Sequence, residues 1–339
     1  MRSDPNLINP PQPVITRLQR SDGAMSSSSL EALSLSLRAS PESHSHPDRR
    51  QYRFGPDAKF HLRIAFATFL LVTVSLVGCK LTSIHAEIGG RLVALLTLFA
   101  MISPLPLYWH EKGRAALRES VLVLPWELIV ALTLPFTVFV AARLRMPLQD
   151  AFLGSIDQYL GVSVPAIMAW ADHHWLGTVI NASYPTLLPL MALACLVPPL
   201  TGKVQEARTF LLSNLIAYAI GLPLFAMLPA IGPWSFYHLV PQAGQAITAD
   251  LLREIRFPGP YYSHDQGAGL VCFPSFHVIW AMLSAKALWG FRLVRIPLAL
   301  LSTLIILSTL TTGWHYFCDV LAGLVIAVVS LAIARIYVH

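Results

Sequence analysis

What this chain of 339 residues lacks is charge. Lys, Arg, Asp and Glu make up only 12% of it, while hydrophobic residues reach 55%. Soluble domains carry about 25% charged residues, so an ordinary soluble domain is excluded. Cysteine is scarce too. Cys79, Cys195, Cys272 and Cys318 show no CxxC spacing and read as small apolar filler, with a Cys272–Cys318 disulfide as the alternative. The net charge of +6 gathers into no basic arm or stripe, which argues against nucleic acid as a partner. No internal symmetry with paired broken helices is visible, and that counts against a transporter.

What the chain does have is apolar runs of about 20 residues, the length a helix needs to cross a bilayer. Eight such runs are expected, at 62–79, 92–109, 120–141, 178–200, 209–231, 270–289, 293–312 and 316–337. The fold class is therefore all-α, a multi-pass membrane helix bundle. Prolines at 104, 106, 125, 135, 189 and 223 predict kinked helices. Between the third and fourth runs, AFLGSIDQYLGVSVPAIMAW carries Asp157 and Pro165 and reads as an interfacial or re-entrant helix. Residues 1–58, rich in Ser, Pro and Arg, offer no core and read as a disordered cytoplasmic tail. They lack a signal-peptide pattern, and Met25 is an alternative start. Residues 59–177 then form N-terminal membrane helices with the interfacial helix, and 178–339 a catalytic membrane core.

Basic residues choose the orientation. With the N-terminus inside, the inner flanks hold Arg49, Arg50, Arg53, Lys59, Arg63, Lys112, Arg114, Arg118, Lys203, Arg208, Lys286, Arg292, Arg295 and Arg335. The outer flanks hold only Lys80, Arg91, Arg143, Arg145, Arg253 and Arg256. By the positive-inside bias both termini are cytoplasmic.

Two polar patches interrupt the apolar runs. CFPSFHVIW begins at Cys272 and TTGWHYFCDVLAG at Thr311, which places His277 and His315 38 positions apart around the basic turn GFRLVR. That gap is one crossing in and one back, so both histidines come to the outer face. His315 and Asp319, spaced i, i+4, share a helical face if the last helix has begun by His315. A carboxylate on one ring nitrogen fixes the tautomer and leaves the other as nucleophile or base. Pro274 suits a first helical turn, and Ser275 with the free amides after it makes an anion site. His277, one turn in, is placed to protonate a leaving oxygen. Taken singly, an interfacial His is more often an amphipathic residue, and a His/Asp pair a helix staple. Ionisable residues at membrane depth are functional candidates by default, and two patches on one face reinforce each other. Asp157 and Tyr184 either line the pocket or cap and staple helices. His238, His264 and Asp265 lie in the outer loop without metal-ligand spacing.

FPSFH followed by GWHYFCD resembles the type 2 phosphatidic acid phosphatase superfamily, whose motifs run PSxH and then His-x-x-x-Asp. The HYxxD form is similar to the branch of inositol phosphorylceramide and sphingomyelin synthases, as is LPAIGP (228–233). The resemblance covers roughly residues 178–337. It implies that His315 attacks phosphorus to give a phosphohistidine, that Asp319 orients it and that His277 protonates the departing alkoxide. It also implies that Ser275 helps hold the phosphoryl oxygens, and it implies no metal or organic cofactor. Two departures stand out. Ser308 and Thr309 occupy the positions of the superfamily's Ser-Arg pair, and its Lys-x6-Arg-Pro element is absent. Developing phosphoryl charge needs compensation. Arg256, then Arg253, in LLREIRFPG are the candidates to supply it, against a reading as lipid-headgroup contacts.

The expected function is an integral membrane lipid phosphoesterase or phosphotransferase acting on a phospholipid or lipid phosphate headgroup. Water resolving the phosphohistidine makes it a phosphatase; an alcohol makes it a headgroup transferase, and the departures tilt towards transfer. The alternative is an inactive lipid-binding or transport protein of the same fold. The expected place is a bacterial inner membrane with the catalytic face extracytoplasmic.

Overall fold

The structure is a computed structural model and describes residues 56–86, 97, 101, 104, 108, 114–263 and 269–338. Positions 1–55 of the expected tail and most of the second expected span, 92–109, lie outside the described residues. Positions 56–58 already belong to the first helix, α1 (Pro56–Leu81).

A short helix α2 (Ala115–Val121) leads into α3 (Leu124–Arg143), which opens with Pro125 in its first turn and carries Pro135 inside. α1 and α3 pack side by side, and the hydroxyls of Ser75 and Thr137 meet between them at 2.5 Å. The stretch expected as one interfacial helix is two: α4 (Asp150–Tyr159) and α5 (Val164–His173). Gly161, at φ +72°, breaks them apart, and Ser163 caps the second by accepting from the Ala166 amide.

α6 (Trp175–Ser183) passes through a single 3₁₀ turn at Tyr184–Thr186, which contains Pro185, into α7 (Leu187–Leu200). α8 (Val204–Met227) is the most enclosed of the long helices and lies along the last helix, α13 (Phe317–Val338). Between them in sequence come the one-turn α9 (Pro233–Phe236), α10 (Ala243–Arg256), α11 (Phe276–Ala287) and α12 (Arg295–Thr311). The main core runs through Leu190, Phe210, Leu211, Phe276, Ile279 and Ile305. The described residues are thus mostly helical, with one pair of three-residue strands among them, β1 (Ile84–Ala86) parallel to β2 (Tyr261–Ser263).

Five described helical stretches are long and apolar enough to cross a membrane: Ala58–Leu81, Ala115–Arg143, Trp175–Leu200, Val204–Met227 and Phe317–Val338. Eight were expected. The apolar run 270–289 yields a helix of only 12 residues, because Pro274 and Ser275 delay its start. At 1.5 Å per residue that is about 18 Å, against about 30 Å of hydrocarbon. The run 293–312 gives 17 residues.

One end of the bundle is tied together by Arg143. Its guanidinium donates to the carbonyls of Thr82, Ile255, Phe257 and Gly259, joining the ends of α1, α3 and α10. At the other end Lys203 donates to the Gly290 carbonyl, and Glu206, Lys286 and Arg335 surround one small hollow.

Candidate active site

The last two helices position the first imidazole. α12 ends as the Gly313 amide bonds to the Leu310 carbonyl and the Trp314 and His315 amides both return to Thr309. Gly313 sits at φ +71°, a conformation that favours glycine, and this lets the chain reverse within TTGWH. α13 begins only at Phe317, so His315 lies in the turn before the helix and not on a shared helical face with Asp319.

Asp319 nonetheless closes on that turn. Its Oδ2 accepts from the Tyr316 amide at 2.8 Å and from the Cys272 thiol at 3.2 Å. His315 Nδ1 stands 3.4 Å from the same oxygen, but only 2.8 Å from the carbonyl of Cys272. Since a carbonyl only accepts, Nδ1 carries the proton and Nε2 keeps its lone pair. Burial lowers the His315 pKa to about 4, so the ring is neutral near neutral pH.

The second imidazole comes from α11. Ser275 is its N-cap, with Oγ accepting from the Val278 amide at 3.4 Å, and Pro274 precedes the helix instead of opening its first turn. The Ser275 amide donates to the Asp319 carbonyl at 3.2 Å. A Cβ on Gly323 would stand 2.7 Å from the Ser275 carbonyl, so only glycine there lets α13 lie against this cap. Ser275 is fully buried and lines neither of the cavities beside the histidines.

His277, two residues into α11, stacks on Tyr184 with ring centroids 4.6 Å apart, and Tyr184 in turn lies parallel to Trp314 at 6.1 Å. The His277 and His315 rings are 5.7 Å apart.

Two cavities meet at this point. One, of about 400 Å³, is apolar, walled by residues such as Pro135, Leu188, Leu222 and Trp280. The other, of about 340 Å³, is walled by His315, Trp314, Cys272 and one side of α10. Tyr184, Leu270, Val271 and His277 border both, whereas His315 borders only the second.

The expected arginines stand elsewhere. Arg256 donates to the Met146 carbonyl at 2.7 Å, and Arg253 pairs with Asp250 at 2.6 Å on the surface. Both line a separate hollow of about 250 Å³ with Leu148 and Phe257. No Lys or Arg lines either cavity at the histidines among the described residues.

Two aspartates on α4 support the site from behind. Asp157, fully buried, accepts from the Phe317 and Cys318 amides at 2.7 and 2.9 Å and so caps α13. Asp150 accepts from the Ile231 and Gly232 amides and from the Tyr316 hydroxyl at 3.0 Å. Gly232, at φ +137°, is the position in LPAIGP that this turn requires to be glycine. Neither Asp150 nor the Cys272 carbonyl stands out in the sequence: the carboxylate's partners are distant along the chain, and backbone groups leave no trace in composition. α4, which lies before residue 178, thus contacts the turn at Ile231–Gly232 and the start of α13.

Cys272 and Cys318 are free thiols, not a disulfide. Cys272 Sγ, His315 and Asp319 place one ligand atom each within 4.8 Å of one another and could hold a soft divalent ion, though only by taking His315 away from its bond to Cys272. His264 and Asp265 lie outside the described residues.

Among curated proteins and among solved structures, nothing matches the chain. A family model does, over residues 151–333, more than half of the chain and a stretch that begins within α4 and contains both histidines and both polar patches. Its description names the group to which this arrangement of helices and imidazoles is assigned: the chain belongs to the PAP2 superfamily.

Proposed function

We propose that this membrane protein is a lipid phosphoesterase that works through a phosphohistidine on His315 and passes the phosphoryl headgroup of a phosphodiester lipid to an alcohol. The observation that carries the reading is the pair of imidazoles 5.7 Å apart on one cavity, one of them with Nδ1 held by a backbone carbonyl.

In the first half-reaction the Nε2 lone pair of His315 attacks phosphorus. The bond from phosphorus to the lipid alcohol breaks, and that oxygen takes a proton from His277. In-line attack puts the leaving oxygen opposite His315, on the His277 side, where the apolar cavity opens. The bound anion supplies the negative charge that favours a proton on His277 beforehand. In the second half-reaction an acceptor hydroxyl enters where the alcohol left, returns a proton to His277, and the phosphorus–nitrogen bond breaks.

Charge supports a diester over a monoester. The walls of both cavities are neutral among the described residues. A monoester dianion would lose its hydration against those walls with no cation among the described residues to offset it, a cost that rises with the square of the charge. A diester carries a single charge. Transfer therefore fits better than phosphatase action on a lipid phosphate, and the extracytoplasmic face is the side we assign to it.

The deciding experiment incubates the purified protein with phosphatidic acid or with diester phospholipids, each with and without an added alcohol. Headgroup exchange from diesters, absent in His315→Ala, is expected. Inorganic phosphate released from phosphatidic acid at a higher rate than any exchange would overturn the transferase reading in favour of the phosphatase.

A further inference from the structure

α10 covers the chamber that His315 faces, and its sequence explains how. In AGQAITADLLREIR the residues Ala249, Leu251, Leu252 and Ile255 are buried while Asp250, Arg253 and Glu254 face outward, so the helix lies flat on the site. Gln245 locks it in place. Its Oε1 accepts from the Gln242 amide at 2.8 Å, and its Nε2 donates to the carbonyls of Thr312 and Gly313 at 3.1 and 3.2 Å. Those carbonyls belong to the turn that presents His315. Gly244 lets the helix close, since a Cβ there would meet Trp314 at 3.3 Å.

One turn on from Gly244, Thr248 is more than nine-tenths buried and lines the chamber with His277 and His315. Its Oγ1 has no hydrogen-bond partner among the described residues. Thr133 and Thr303, by contrast, each donate back to the carbonyl four residues earlier. Of the two buried helical threonines whose hydroxyls lack a partner among the described residues, Thr68 and Thr248, only Thr248 borders this chamber. A buried hydroxyl without a partner is a standing cost to the fold unless a ligand takes it.

We infer that Thr248 is a substrate-binding residue whose hydroxyl donates to a non-bridging phosphoryl oxygen of a phosphodiester held between the two imidazoles. The inference rests on the chamber being the phosphoryl site. It also gives a wall without Lys or Arg a neutral donor, suited to a singly charged centre. α10 then serves the site twice, as Gln245 fixes the turn of His315 and Thr248 reads the group that His315 attacks.

Thr248→Val and Thr248→Ser in the full chain test it. The measurements are kcat/KM on a diester phospholipid in mixed micelles, affinity for orthovanadate by thermal shift, and melting temperature without ligand. Valine removes the hydroxyl at nearly constant shape. It is expected to lower kcat/KM and vanadate affinity by roughly ten- to a hundredfold. The ligand-free melting temperature should hold or rise, because an unpartnered buried hydroxyl has gone. Serine should stay close to wild type. Vanadate affinity in Thr248→Val equal to wild type overturns the inference and leaves the hydroxyl to a water; so does a wild-type protein that binds no vanadate. A wild type that binds vanadate through Thr248 yet acts on no lipid supports the inference and sinks the proposed activity instead.

Discussion

His315 gives its Nδ1 proton to the carbonyl of Cys272, at 2.8 Å, and not to the carboxylate of Asp319, which stands at 3.4 Å. The tautomer of the proposed nucleophile is thus set by a backbone group that no side-chain substitution removes. Asp319 plays a different part. It holds the Tyr316 amide and the Cys272 thiol.

That division of labour separates two variants. His315→Ala should lose turnover entirely while still inserting and accumulating. Asp319→Asn keeps the Cys272 contact and should fall only about a hundredfold, the lower end of what a proton-handling group supplies. Single-turnover rates on a diester phospholipid check this. An Asn variant as dead as the Ala variant would return the orienting role to Asp319.

The pH dependence follows from burial. An exposed histidine titrates near 6.5, and burial lowers His315 to about 4. Below that value the ring takes a proton on Nε2 and loses its lone pair; above it the ring is a neutral nucleophile. The acid limb of kcat/KM due to His315 should therefore fall near pH 4, and no limb assignable to it should lie at 6.5. A profile from pH 3.5 to 8, recorded with Asp319→Asn alongside wild type, tests the assignment.

Asp157 is expected to matter for stability more than for chemistry. It accepts from two amides at the start of α13, and the loss of a helix cap costs about 0.5–2 kcal/mol. In Asp157→Ala the two amides are left buried without an acceptor, so the melting temperature should fall. Asp157→Asn keeps an oxygen for one amide and should lose less. Equal melting temperatures for wild type and the Ala variant would remove the capping role.

Sidedness can be read at the loop between α9 and α10, where Val240 is 92% exposed. A cysteine placed there should react with an impermeant maleimide applied from outside intact cells. Labelling that needs permeabilised cells would invert the assigned orientation.

The partnership of His277 and His315 was legible because a 38-residue gap containing a basic turn has few ways to fold across a membrane. The contact of the Ser275 hydroxyl was not. A serine ahead of a helix looks the same whether its oxygen faces a phosphate or its own Val278 amide, and here it faces the amide. The contact made by Arg256 was not legible either: one of its guanidinium nitrogens donates to the Met146 carbonyl. At the polar patch the described helix is shorter than the expected span. Hydropathy averaged over 270–289 cannot see that Pro274 and Ser275 postpone the helix to Phe276. Asp150 and Asp157 bind backbone amides distant in sequence, contacts that a linear pattern does not encode.

Those two aspartates stand seven residues apart, two turns along one face of α4, a separation of about 10 Å set by helix pitch. One holds the Ile231–Gly232 turn and the other the first turn of α13. α4 therefore works as a caliper between the roof of the chamber and the helix behind His315. When a thinner or thicker bilayer tilts the long helices, the far end of α13 can swing while its first turn stays gauged against α4. The spacing of the reacting groups is thereby insulated from the mechanics of the lipid around them.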